Sequence, residues 1–149
     1  MNEKVEQIQN ELGERLETLR QRLDEVKANV EDSANETRES LHKKGQAIEA
    51  RFEADQQRLK DAQALVEQWL EAKAVETGEK ILDWEYQREI EKLEKHADHA
   101  EDYAASAVIL AAAAIDEAEL AILEAIGARI LAEDAKCGDT EFVVLTGTY

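Results

Sequence analysis

Apolar residues recur at steps of three and four along most of this chain, a spacing that places them on one face of an α-helix. Near the start of the chain they are Val5, Ile8, Leu12, Leu16, Leu19, Leu23, Val26 and Val30. The 149 residues include no proline, which is the residue that most strongly interrupts helices. We therefore predict an all-α protein built from long helices.

Glycines mark the positions where these helices are expected to end. Gly45 follows a weakly apolar stretch, and the apolar pattern resumes at Ile48. Gly78 is the stronger turn candidate, because Thr77 before it is of a type that caps helix N-termini. The pattern predicts one elongated domain over residues 1–136. Its helices would span about residues 3–44, 46–77 and 79–135, the first two being either separate or continuous.

A chain reversal at Gly78 would produce a long helical hairpin, an antiparallel coiled coil. Facing residues would then have numbers that add up to about twice the number of the turn residue. This register places Trp69 opposite Tyr86 and Leu41 opposite Ile115. Trp69, Trp84 and Tyr86 would then close the end of the bundle as ordinary core residues.

The stretch from Tyr103 to Ile115 has Ser106 as its one polar residue and is apolar nearly all round. One amphipathic helix covers only about a third of its partner's circumference, so a second cover is needed. It could be a second copy of the chain, the N-terminal helix folded back at Gly45, or a lipid surface. Homodimerisation into a bundle is the favoured prediction, because symmetric dimers are the commonest oligomers. The predicted interface residues are Tyr103, Val108, Ile109, Ala111, Ala112, Ile115 and Ile122.

The formal net charge of −17 disfavours nucleic acid and acidic membrane surfaces as partners. Binding of the alanine-rich face to lipid is also disfavoured, because helices that lie on membranes have basic polar faces. The first residues, MNEKVEQIQNELGERL, contain no apolar signal region, and Cys137 is the one cysteine. These features favour a cytoplasmic location.

The segment EKHADHAEDY holds the most suggestive candidates for chemistry. His96, His99 and Asp102 follow one another at three-residue steps, so neighbours lie about 60° apart on a helix. Imidazole and carboxylate groups in this arrangement are candidate metal ligands. However, Leu93 stands where di-metal bundles carry a glutamate three residues before the histidine. The alternative interpretation is a pair of surface histidines among carboxylates, and no cofactor is expected.

Catalytic motifs are missing from the sequence. Acidic neighbours such as Asp116, Glu117 and Glu119 are common among 35 acidic residues, and such runs are usually solvated faces. Glu124 is unusual in lying between apolar neighbours. The chain has no glycine-rich phosphate loop and no glycine-flanked serine, so we do not expect an enzyme.

The C-terminal tail, residues 137–149, differs in character from the rest of the chain. Gly138 and Asp139 end the helical pattern, and an apolar, β-prone segment follows. This segment could add to a partner's sheet edge, dock in a groove, or pack on its own chain. The candidate docking residues are Phe142, Val143, Val144 and Leu145.

Taken together, these features predict a non-enzymatic structural or protein-interaction protein, a self-associating acidic coiled-coil scaffold or adaptor. Two alternatives belong to other classes. A metal-binding helical bundle would use His96, His99 and Asp102, and a coat on lipid or granule surfaces would use the alanine-rich face.

Overall fold

A computed structural model describes residues 2–137, and their regular structure is helical throughout. The α-helices are α1 (Glu3–Asp32), α2 (Arg38–Val75), α3 (Gly78–Tyr86) and α4 (Ile90–Lys136), with a 3-10 turn at Ser33–Asn35. Within the described residues there is no strand. The predicted all-α class is confirmed, with the helices packed as bundles. The predicted docking tail, residues 142–145, lies outside the described residues.

The first interruption of the helical structure lies at residues 33–37, not at Gly45. Ser33 is buried, and its hydroxyl donates to the carbonyl oxygen of Val30. Thr37 then caps the start of α2, because its hydroxyl oxygen accepts a hydrogen bond from the backbone N–H of Ser40 at 3.1 Å. Polar side chains that satisfy backbone groups at a helix start favour a break at this point.

Gly45 instead lies inside α2, where it is buried against α4. A Cβ atom at this position would lie 3.3 Å from Cδ1 of Leu120. The missing side chain therefore lets α2 and α4 approach closely. The structure shows neither predicted alternative, a break at Gly45 or one continuous helix. The break lies at residues 33–37 instead, and the glycine serves packing within α2.

The predicted cap at Thr77 is confirmed. Its hydroxyl oxygen accepts a hydrogen bond from the backbone N–H of Lys80 at 3.3 Å, and α3 begins at the next residue, Gly78. The predicted continuous helix over residues 79–135 is wrong, because α3 ends at Tyr86 after nine residues.

A Schellman motif ends α3. The backbone N–H of Arg88 donates to the carbonyl oxygen of Glu85, and that of Glu89 donates to the carbonyl oxygen of Trp84. Arg88 has a φ of 55°, the left-handed conformation that this motif requires. Helix α4 then begins at Ile90.

The described chain divides into two compact units, each built from segments of α1, α2 and α4. Among the described residues, the first unit contains residues 2–19 and 56–112 and includes α3, and the second contains residues 20–55 and 113–137. In the second unit, Leu41 and Ile48 of α2 form the core with Leu123 of α4. Phe52, Leu120, Ile126 and Ile130 pack against this core.

The core of the first unit has small residues at its tightest points. Ala62 of α2 and Ser106 of α4 are both 2% exposed, whereas Trp69 and Tyr103 are half-buried. A small residue is buried this completely only where a neighbouring element comes close. The alanine-rich stretch of α4 is therefore covered in part by this chain.

The contacts between α2 and α4 are antiparallel, but their register differs from the predicted one. In the first unit, Trp69 stacks on Tyr103 with ring centroids 5.5 Å apart, so the predicted pairing with Tyr86 is wrong. In the second unit, Leu41 packs on Leu123, so the predicted pairing with Ile115 is also wrong. The register shifts because the chain reverses over α3 and its two flanking turns and not at Gly78 alone.

Candidate functional site

The most buried charged group in the second unit is Glu119, which is 2% exposed. Nη2 of Arg22, on α1, donates to Oε1 of this carboxylate at 2.7 Å, and Nδ2 of Asn29 donates to Oε2 at 3.0 Å. Arg22 also donates to Oδ1 of Asp116, from Nη2 at 2.6 Å and from Nε at 3.0 Å. From α2, Nη2 of Arg51 lies 3.7 Å from Asp116 and 3.8 Å from Glu119. We call these five residues the buried polar cluster.

The electrostatics of this cluster favour the charged forms of Glu119 and Arg22. Burial alone would raise the pKa of Glu119, but hydrogen bonds from Asn29 and Arg22, with the charges of Arg22 and Arg51, hold that pKa below the ordinary value of 4.5. Burial alone would lower the pKa of Arg22, but the Glu119 and Asp116 carboxylates raise it above its ordinary range. At neutral pH the cluster is therefore an ion pair between α1 and α4.

Chemically, the buried polar cluster is suited to fixing helix positions. Both oxygens of Glu119 accept hydrogen bonds from side chains of this chain. A general base would need an oxygen available to a substrate, and a carboxylate held in its charged form is a weak proton donor. The cluster therefore aligns three helices of the second unit and does not resemble a catalytic site.

Sequence reasoning missed this cluster, although a signal exists in the pattern. On α1, Val26 is buried and Leu19 is half-buried, whereas Leu16 and Leu23 are exposed. Arg22 lies three residues after Leu19 and four before Val26, so it belongs to the buried face of α1. A charged residue on a buried helix face predicts a charged partner on a neighbouring helix.

The predicted metal ligands lie on α4 in the first unit, and the structure does not bring them together as a ligand set. His96 is half-buried, and its Nδ1 is 3.0 Å from Oε2 of Glu76. His99 is half-buried, whereas Asp102 is exposed. Within residues 2–137, no group of three His, Cys, Asp or Glu side chains is placed to hold a metal ion.

His96 instead belongs to an aromatic group. Its ring lies 5.4 Å from that of Trp69, which also stacks on Tyr103. Trp84 lies under Nζ of Lys92 at 5.9 Å, and Tyr86 is 85% exposed. The prediction that Tyr86 helps to close the end of the bundle is therefore wrong.

The predicted interface residues are mostly half-buried within the chain's own units. The half-buried ones are Tyr103, Val108, Ile109, Ala112 and Ile115. Ala111 and Ile122 are exposed, Ile122 by 39%. In the first unit, α2 covers at least one of these residues, because Trp69 stacks on Tyr103.

A different set of large apolar residues is exposed, in the first unit between residues 70 and 90. These side chains are 58% to 85% exposed, and we call them the exposed apolar segment: Leu70, Val75, Leu82, Tyr86 and Ile90. Leu70 and Val75 lie in the last turns of α2, Leu82 and Tyr86 lie on α3, and Ile90 is the first residue of α4. Large exposed apolar surfaces are typical of interaction sites.

The second unit also has a groove of about 440 Å³ between α2 and α4. Leu41, Gly45, Leu120 and Leu123 line its floor, and the exposed side chain of Ala128 lies at its edge. Polar residues, His42, Gln46, Glu49 and Glu124, line its walls. Arg129, five residues after Glu124 on α4, lies 3.8 Å from Glu133.

None of the helices within the described residues has a stretch long and apolar enough to cross a membrane. Comparisons of the chain with protein-family models, with curated proteins and with solved structures find no match.

Proposed function

We propose that this protein is a non-enzymatic helical scaffold or adaptor that associates with itself. The observation that carries this proposal is the exposed apolar segment, whose five large side chains are each more than half exposed within 21 residues. Leaving so much apolar surface in water forgoes about 25 cal/mol for each Å² that a partner would cover. A second copy of the chain is the simplest partner, because it is always present.

The chemistry of α3 supports an interaction role for this segment. The helix has nine residues, and Leu82 and Tyr86 lie four apart on one face, 65% and 85% exposed. Ile81 and Trp84 on the other face are half-buried. A short helix with apolar residues on both faces is suited to packing between its own unit and a partner.

The non-enzymatic part of the proposal is supported by the buried polar cluster. Its central carboxylate, Glu119, is engaged by Arg22 and Asn29 of the same chain, which leaves it in a structural role. In some proteins buried polar groups specify a unique arrangement of helices, as a single polar residue does in coiled coils. Such a frame is what a scaffold needs in order to present one surface reproducibly.

Sedimentation equilibrium of two double variants tests the proposal. Leu82→Ser with Tyr86→Ser removes two large side chains of the exposed apolar segment, and we expect self-association to weaken at least about tenfold. The matched control is Val5→Ser with Leu16→Ser, since these residues are also exposed, on α1 of the same unit. Equal self-association of the wild type and both variants would refute a role for the segment.

A further inference from the structure

We infer that the groove between α2 and α4 of the second unit is a docking site for a basic helix of a partner protein, held by lysine or arginine side chains. This inference rests on the adaptor part of the proposed function and assigns its partner surface. Among residues 2–137, those that line the groove all belong to α2 and α4.

The groove faces away from α1. On α2, Arg51 faces α1 through the buried polar cluster, while Gly45 and Glu49 line the groove. At about 100° per residue, the direction of Glu49 differs from that of Arg51 by about 160° around the helix. The α2–α4 pair thus carries α1 on one side and the groove on another, which is the place of a fourth helix in a bundle.

Small residues shape this groove. Gly45 has no side chain to fill the floor, and Ala128 contributes a single methyl group at the edge. Leu41 and Leu123 are 1% and 2% exposed, so the apolar strip that the groove offers to a partner consists mainly of Leu120 and Ala128. Such a strip suits the aliphatic stem of a long side chain better than a bulky apolar anchor.

The negative charge of the groove walls favours a partner side chain that ends in a cation. The carboxylates of the lining are Glu49 on α2 and Glu124 on α4, both exposed, and His42 is the remaining titratable group. A lysine or arginine with its stem on the floor would place its cation between these two walls. The chain's net charge of −17 also steers a basic partner toward it.

Titration of the full-length protein with a designed peptide tests this inference. The probe is an amphipathic peptide of about 18 residues, long enough to form a helix, with leucines on one helix face and lysines on the opposite face. The same peptide with glutamate in place of lysine is its control. Binding is measured by calorimetry at low salt and again at high salt, where charge attraction is screened.

Two variants separate charge from shape. We expect Glu49→Gln with Glu124→Gln, and separately Ala128→Phe, to weaken binding of the lysine peptide at least about tenfold. The matched controls are Glu67→Gln with Glu94→Gln for charge and Ala125→Phe for size, all at exposed positions outside the groove. These controls should stay within about twofold of the wild type.

Several outcomes would overturn the inference. They are no binding to the wild type, an equal loss in the Glu67 and Glu94 control, or no effect of Ala128→Phe. Loss of self-association in Ala128→Phe would make a second copy the occupant. Failure of the proposed self-association would appear separately, as a monomeric wild type that still binds the peptide.

Discussion

Arg22 and Glu119 form a hydrogen-bonded ion pair of 2.7 Å between α1 and α4, with side chains 18% and 3% exposed. The two residues are 97 positions apart in the sequence. Asn29 and Asp116 satisfy further groups of the same pair. This contact fixes the position of α1 along α4 in the second unit.

Glu119→Gln should destabilise the protein by about 2–3 kcal/mol at neutral pH, because it removes the charge that compensates buried Arg22 while Asp116 remains. Urea unfolding followed by circular dichroism measures this change. Glu117→Gln is the matched control, since Glu117 is exposed two residues away. Its effect should be within about 0.5 kcal/mol, and equal effects of both variants would contradict a buried ion pair.

The same pair predicts a pH dependence. The pKa of Glu119 is lower in the folded protein than its ordinary value of 4.5. As the pH falls, the unfolded chain therefore takes up this proton first, so the stabilisation is full above 4.5 and is lost as the pH falls through the folded pKa. The difference in unfolding free energy between the wild type and Glu119→Gln should shrink below pH 4.5. A constant difference across this range would contradict the assignment.

Thr77→Ala should weaken the start of α3 by about 1 kcal/mol, because the hydroxyl oxygen no longer accepts the N–H of Lys80. Hydrogen exchange of the Lys80 amide is the direct measurement and should become several-fold faster. Thr77→Ser keeps the oxygen and serves as the control. Unchanged exchange in Thr77→Ala would show that the cap is not formed in solution.

Arg88→Gly should stabilise the protein by about 1 kcal/mol, because glycine adopts the left-handed conformation without the steric cost that arginine bears. Gln87→Gly is the control, since Gln87 has a φ of −82° and gains nothing from glycine. Thermal unfolding of the two variants distinguishes them. A destabilising effect of Arg88→Gly would mean that the Schellman motif is absent.

These residues also show what sequence reasoning could reach. Helical spacing and the cap at Thr77 were sufficient to predict the all-α class and the start of α3. The end of α3 was not predictable in this way, because arginine occupies the position where glycine usually signals a helix end. Gly45 gave a false signal of a helix end, because its missing side chain makes room for Leu120 within α2–α4 packing.

The candidate site was harder to predict than the fold. The buried polar cluster depends on which face of α1 meets α4, and several exposed leucines on α1 obscured that face. Arg22 could have been found by its spacing from Leu19 and Val26. Its partner Glu119 could not, because Asp116, Glu117 and Glu119 are acidic neighbours on α4 and only tertiary packing distinguishes the buried one.

Light scattering of the wild-type chain over a range from about 1 to about 100 µM tests the central claim most directly, because self-association follows mass action. The proposed function predicts a mass that rises with concentration toward twice the chain mass of 16.8 kDa. A mass of one chain at every concentration would contradict it.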